Sequence, residues 1–166
     1  MKLVRIRQVK KEIRVLGLAA SPLDGSHVVV GVVYRGRLGM DGVLCCSSSS
    51  PDLTVAVASM IRGSAHFNQI RVIAVDMDRL PPGAGVELDT LASGTGKPVL
   101  GLTRAGGELD ERFMFLWRGH TVTSMGLERG DAEMVLETCS VEGYPEALRV
   151  ASLVAEEFSG TGLHKV

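Results

Sequence analysis

The apolar positions of this chain change period as it advances, and the changes predict its elements. Ile13 to Ala20 is a short, Leu-rich and β-branched run closed by the turn formers Ser21, Pro22, Asp24 and Gly25, which predicts a buried first strand. His27 to Tyr34, dominated by Val28, Val29, Val30, Val32 and Val33, predicts a second strand. Arg35-Gly36-Arg37 is a short turn, and Leu38 to Cys46 a third strand. Three strands joined by short turns are most simply an antiparallel meander. The period then lengthens. Ser50-Pro51-Asp52 offers a capping hydroxyl, a first-turn proline and a carboxylate for the positive end of a helix. Leu53, Ala56, Val57, Met60 and Ile61 follow at helical spacing, with Gly63 as the stop.

Ile70 to Val75, broken only by Arg71 and ending at Asp76, is the continuous apolar run of a parallel strand buried on both faces. A Pro/Gly-containing loop, Met77 to Gly85, leads to a predicted short helix over Val86 to Ala92 and a turn at Ser93 to Gly96. Pro98 to Leu102 predicts another strand, Ala105 to Asp110 a loop, and Phe113 to Trp117 with Thr121 to Ser124 a hairpin around Arg118-Gly119. Asp131 to Cys139 and Pro145 to Phe158 predict helices, the last with Leu148, Ala151, Val154, Ala155 and Phe158 on its core face. The order implies an α/β fold, a three-strand antiparallel meander plus parallel strands in one mixed sheet flanked by helices, as a single domain over residues 1–166. Right-handed crossover puts the strand ending in Asp76 beside the first strand or one neighbour away. Ligand sites form at the carboxyl ends of such strands, which directs attention to positions 17–22 and 76–89.

Composition narrows the picture. At 45% hydrophobic and 22% charged the chain is of the soluble globular class. No apolar run approaches the roughly 18 residues of a membrane span. The N-terminal segment interleaves charges with apolar residues, unlike a signal peptide, so a cytoplasmic location is expected. Cys45, Cys46 and Cys139 form neither a disulfide framework nor a zinc pattern, and read as structural thiols. Net charge is −1, yet Lys2, Arg5, Arg7, Lys10, Lys11 and Arg14 crowd the start of the chain with only Glu12 opposing them. That segment reads as a phosphate-contacting arm or as a solvated edge protected by charge. Carboxamides are confined to Gln8, Asn68 and Gln69.

For chemistry, the best acidic constellation is Asp76 at a strand end, with Asp78 two residues on and Glu87 and Asp89 across the loop; Asp24 follows the first strand. Magnesium takes hard oxygen ligands, commonly one or two carboxylates with water and substrate phosphate, so Asp76, Asp78 and Asp89 are the candidate metal ligands. Solvated loop carboxylates are the competing account. Ser93-Gly94-Thr95-Gly96-Lys97-Pro98 fails as a phosphate loop, because the first glycine falls at Leu91 and Pro98 replaces the hydroxyl residue. His27, His66, His120 and His164 share no metal-ligand spacing; His120 is the one to follow. There is no Gly-x-Ser-x-Gly elbow, and 4% aromatic content gives no base-stacking platform. Arg149, after Pro145-Glu146, contacts phosphate or forms a structural ion pair.

Several segments in order carry a resemblance: Ile13-Arg14-Val15-Leu16-Gly17, Val30-Gly31-Val32-Val33-Tyr34-Arg35-Gly36, Asp41-Gly42-Val43-Leu44, Arg71-Val72-Ile73-Ala74-Val75-Asp76 and Pro145-Glu146-Ala147-Leu148-Arg149-Val150-Ala151. Together they resemble the archaeal domain-of-unknown-function family ninety-nine, itself similar to endonuclease V. The resemblance implies a ribonuclease H-like sheet. Endonuclease V enzymes cut DNA or RNA near deaminated bases with magnesium held by acidic residues. Relatives place acidic residues after the first strand, where this chain has Ala19 and Ala20, although Ser21-Pro22-Leu23 resembles their Gly-Pro-Phe. Asp76 matches the carboxylate of the parallel strand, followed by Met77 in place of glycine, and Asp89 matches another acidic position. The glutamate after the third strand has no counterpart in Ser47 to Ser50, and the late histidine falls near Met125 and Gly126.

The resemblance therefore implies an endonuclease V-related domain that lacks the usual nuclease chemistry and binds DNA or RNA, with Arg149, Arg14 and Lys11 as substrate-binding candidates. Two alternatives stand beside it. One is an active magnesium-dependent nuclease with Asp76 and Asp89 as catalytic residues and Asp78 as a further ligand. The other is a non-catalytic subunit that engages a protein partner.

Overall fold

The structure, a computed structural model, describes residues 3–159; Lys2 and His164 lie outside them. The meander forms as β1 (Arg14–Leu23), β2 (Ser26–Arg35) and β3 (Gly39–Ser48), followed by α1 (Thr54–Arg62), β4 (Val72–Asp76) and a 3-10 turn (Met77–Arg79). Then come α2 (Leu88–Thr95), β5 (Val99–Arg104), the hairpin β6 (Met114–Trp117) and β7 (His120–Met125), and α3 (Arg129–Cys139). A small hairpin, β8 (Ser140–Val141) with β9 (Tyr144–Pro145), leads into α4 (Glu146–Ser159). The first seven strands make one sheet in the order β3-β2-β1-β4-β5-β7-β6. The β1–β4 and β4–β5 pairs are parallel and the others in this sheet antiparallel, so β4 takes the adjacent one of the two placements expected for it, directly beside β1.

Helices cover both faces of the central strands. On one face Val57 and Ile61 of α1 and Leu91 of α2 pack on Leu16, Leu18, Ile73, Val75 and Val99. On the other, Val135 and Leu136 of α3 and Leu148 of α4 pack on Val15, Val72, Ala74, Leu100 and Leu102. Further along α4, Ala151 and Ala155 meet Ala19, Val30 and Val32. Double coverage explains why every residue of β4 is buried and why that stretch is continuously apolar up to Asp76. The approach of α4 to β1 depends on Gly17, because a Cβ there would stand 2.5 Å from the carbonyl carbon and oxygen of Ala147.

The larger elements match the expected ones; the β8–β9 hairpin was not among them, α2 runs on through Ser93 to Thr95 where a turn was expected, and the other differences lie at element ends. Strand β1 continues through Leu23, where Leu23 faces Ser26, because Asp24 and Gly25 form a two-residue hairpin with φ of 46° and 79°. The extra residues Ser21 to Leu23 were expected in a longer turn. Helix α1 starts at Thr54 rather than at Pro51, because Pro51 and Leu53 pair through their backbones with Gly85. Ser50 does not cap α1; the residue before the helix is Leu53, which has no side-chain cap, and the first helical N–H, of Thr54, donates to Asp52 Oδ1 at 3.0 Å. Pro145 belongs to β9 and not to the first turn of α4.

Candidate functional site at the carboxyl ends of the parallel strands

Parallel register fixes what stands beside what at this end of the sheet. The β1–β4 ladder runs to Leu18 opposite Val75, so the next pair along is Ala19 and Asp76. Both alternate onto the face covered by α4: Ala19 packs with Ala151 and Ala155, and Asp76 lies two residues beyond Ala74, which packs on that side. A methyl group therefore adjoins the one strand-end carboxylate.

Asp76 is only 6% exposed, and its oxygens are engaged by the protein's own groups. Oδ1 accepts from the Asp78 N–H at 3.1 Å, which caps the 3-10 turn. Oδ2 accepts from the Tyr144 hydroxyl at 2.5 Å and has the Arg79 guanidinium at 3.6 Å. Arg79 also lies over the Tyr144 ring, 4.8 Å from its centroid. Burial pushes the Tyr144 phenol above its ordinary pKa of 10.0, and its hydrogen bond to the Asp76 carboxylate pushes it further. The phenol is held protonated as a donor. On the other side of Tyr144 is His120, with ring centroids 5.9 Å apart; its Nδ1 is buried without a hydrogen-bond partner.

The remaining acidic candidates do not join Asp76 in one cluster. Asp78 is exposed and its Oδ2 accepts from the backbone N–H of Arg104. Asp89 is exposed in the first turn of α2, bonded at 2.9 Å to the Thr90 N–H, on a helix packed against the opposite face of the sheet from Asp76. Asp24 sits at the exposed tip of the β1–β2 hairpin. Among the described residues no group of three or more His, Cys, Asp or Glu side chains is placed to hold a metal ion. Beside Asp76 lies a 360 Å³ cavity lined by Ala19, Ala20, Ser21, Arg79, Ser152, Ala155 and Glu156. Ser47 and Ser48, where the glutamate was sought, pair with Val28 and His27 in β3.

The basic candidates are held elsewhere. Arg14 begins β1, so it stands at the amino end of the strand, about 16 Å along it from Ala19. There its Nε donates to Asp41 at 3.0 Å, and Arg35 donates to the other Asp41 oxygen at 2.8 Å. Lys11 is exposed just before it, on the same rim. Arg149 pairs with the buried Glu146 one helical turn back, which holds its guanidinium pKa above the usual value. That is the ion-pair account of Arg149. The residue that sequence reasoning missed is Tyr144. Its partner is 68 positions away, and its only local sign was an aromatic before Pro145.

No protein-family model matches the chain. It is 30% identical over 181 residues to a UPF0215 protein of the archaeon Methanothermobacter thermautotrophicus, spanning 90% of this chain and 89% of that protein. It is 29% identical over 178 residues to a UPF0215 protein of Methanosarcina mazei, spanning 89% and 91%. Among solved structures it superimposes on a protein of unknown function from Archaeoglobus fulgidus with TM-score 0.74 and 22% identity, over 87% of this chain and 96% of that one. The catalytic domain of human endonuclease V matches with TM-score 0.70 and 16% identity, over 98% and 90%. Ciona intestinalis endonuclease V, in complex with DNA containing an inosine followed by a ribo-adenosine, matches with TM-score 0.65 and 11% identity over 92% and 86%. These likenesses establish an endonuclease V-like fold.

Proposed function

The chain belongs to the UPF0215 family, and we propose that it is an endonuclease V-like domain that binds nucleic acid without cutting it. Its similarity to family ninety-nine is read as the same lineage. The observation that carries the reading is the pair Ala19 and Asp76, a methyl beside a carboxylate whose oxygens are taken by Tyr144 and the Asp78 N–H.

A phosphodiester-cleaving magnesium site draws carboxylates together to hold the cation and orient water. Here Asp76 stands alone, and a cation on Oδ2 would have to displace Tyr144 and tolerate Arg79. The donor set does not fit magnesium, so no catalytic step is derived through one, from Asp89 or Asp78 any more than from Asp76. What the residues do is neutralise Asp76 internally and leave Arg79 and Arg104 at the same rim. Support for a nucleic-acid ligand comes from the fold neighbour seen with inosine-containing DNA. Among the sequence-derived contacts, Lys11 is the one proposed to reach phosphate, since Arg14 and Arg149 already hold carboxylates. The strand β3, at the sheet edge with Met40 and Val43 exposed, favours a second reading as a protein-binding subunit.

Inosine-containing DNA and RNA incubated with the protein and magnesium or manganese test the proposal. Intact strands, with retention on the protein that weakens as salt rises, are expected. Cutting that disappears in Asp76→Ala overturns the non-cleaving reading, and salt-independent failure to retain either polymer overturns the binding reading.

A further inference from the structure

The chain contains three carboxamide side chains, Gln8, Asn68 and Gln69. All three line one cavity of 430 Å³. It lies at the amino ends of β1 and β4, on the rim opposite Asp76. One wall is the segment leading into β1 and the other the segment leading into β4. Backbone hydrogen bonds hold the walls: the Arg71 N–H donates to the Arg14 carbonyl at 2.9 Å, the Ile13 N–H to Lys10 at 3.1 Å, and the Gln69 N–H to His66 at 2.9 Å. Asn68 and Gln69 adjoin in the chain on one wall, and Gln8, some sixty positions earlier, meets them from the other.

A carboxamide presents a donor and an acceptor side by side on a plane, the complement of a nucleobase edge, and Asn and Gln pair with adenine in this way. Lys10 and Arg71 line the same cavity and supply positive charge, while Arg14 beside them is paired with Asp41. Partial burial, and then the nearby Arg71 guanidinium, lower the Lys97 pKa. Glu12, the carboxylate of the lining, is an acceptor suited to ribose hydroxyls. The volume is within the usual range for sites that enclose a small molecule.

We infer that this cavity binds a nucleotide unit, with Gln8, Asn68 and Gln69 reading the base edge and Lys10 and Arg71 holding the phosphate. The site deepens the nucleic-acid reading and uses nothing of the Asp76 rim. The unit has two sources, a free mononucleotide or one residue of a single strand.

The test follows the side-chain amide resonances of the full ¹⁵N-labelled chain during titration with AMP, GMP, CMP, UMP, ribose 5-phosphate, inorganic phosphate and a short single-stranded oligonucleotide. Saturable shifts of the Gln8, Asn68 and Gln69 amides with at least one mononucleotide or with the oligonucleotide are expected, and not with ribose 5-phosphate. The double variant Asn68→Ala/Gln69→Ala, both exposed positions, should weaken that binding about tenfold. Arg71→Ala should weaken it at least comparably, through phosphate. A response to the oligonucleotide alone assigns the strand as source. A response to mononucleotides alone supports the cavity while the nucleic-acid reading fails. If the oligonucleotide binds the double variant as well as the wild type, the cavity proposal is overturned and the broader reading survives. Amides that stay still with every probe, or that move equally with inorganic phosphate, also overturn it.

Discussion

The two ends of the central strands are built on opposite principles. At the carboxyl end the buried acid Asp76 is matched atom by atom from within the chain, by the Asp78 N–H, the Tyr144 hydroxyl and Arg79. At the amino end Gln8, Asn68, Gln69, Lys10 and Arg71 are exposed around a cavity. Buried polar groups must find partners inside the protein, whereas exposed ones remain available to a ligand. The carboxyl rim is closed upon itself, and the open hydrogen-bonding capacity lies at the other rim.

The hardest way to break this contrast is through α4. Gly17→Val puts side-chain atoms into the Ala147 carbonyl, so α4 must lift from β1. A loss of about 3 kcal/mol in urea unfolding is expected. Because β9 carries Tyr144 directly into α4, the carboxyl rim should loosen while the amide resonances of Gln69 stay in place.

Rebuilding the missing acid comes next. Ala19→Asp sets a second buried carboxylate beside Asp76 and should cost about 2 kcal/mol without divalent metal. Manganese or magnesium should restore much of that in a thermal melt, and the wild type should show no such response. A wild-type melt that rises with either metal removes the distinction between the rims.

Tyr144→Phe is milder. It deprives Asp76 of a donor and should lower stability by about 1 kcal/mol at neutral pH. The smallest effect is alkaline. Tyr144 titrates higher when folded than its ordinary 10.0, so the folded state holds its proton more tightly than the unfolded chain does. That stabilisation is complete below about pH 10 and is lost as pH rises through the folded value. Buried Cys139 behaves alike, its thiol pushed from 9.0 up to about 12, so its contribution declines between those values. In a pH series of urea midpoints, Tyr144→Phe should flatten the upper part of the alkaline decline and leave the Cys139 part.

Much of the scaffold was legible because its signals are local. The valines of β2, the continuous run before Asp76 and the helical spacing from Leu53 to Ile61 each report burial on a known period. Element ends were less so, since Pro51 is drawn out of α1 by pairing with Gly85 and the Asp24-Gly25 hairpin lets β1 run on. Of the site, topology directed attention to positions 17–22 and 76–89, but the register that sets Ala19 beside Asp76 is tertiary. The engagement of Asp76 by Tyr144 could not be read either, because it joins positions 68 apart through the β8–β9 hairpin, an element too short to leave a pattern. Likewise the scarcity of carboxamides was visible in the sequence, but their meeting in one place is tertiary.

The strand order β3-β2-β1-β4-β5-β7-β6 has a kinetic consequence. Both flanks of the sheet are hairpins closed by short turns, while the β1–β4 pair joins segments more than fifty residues apart, Leu16 with Ile73. Closing that loop costs chain entropy before any central contact repays it. The flanks can therefore form early as separate units, and the junction between β1 and β4 is expected to be the late, rate-setting event. Ala19 and Asp76 would meet only then, which makes the tyrosine clasp on Asp76 a lock expected to close at the end of folding.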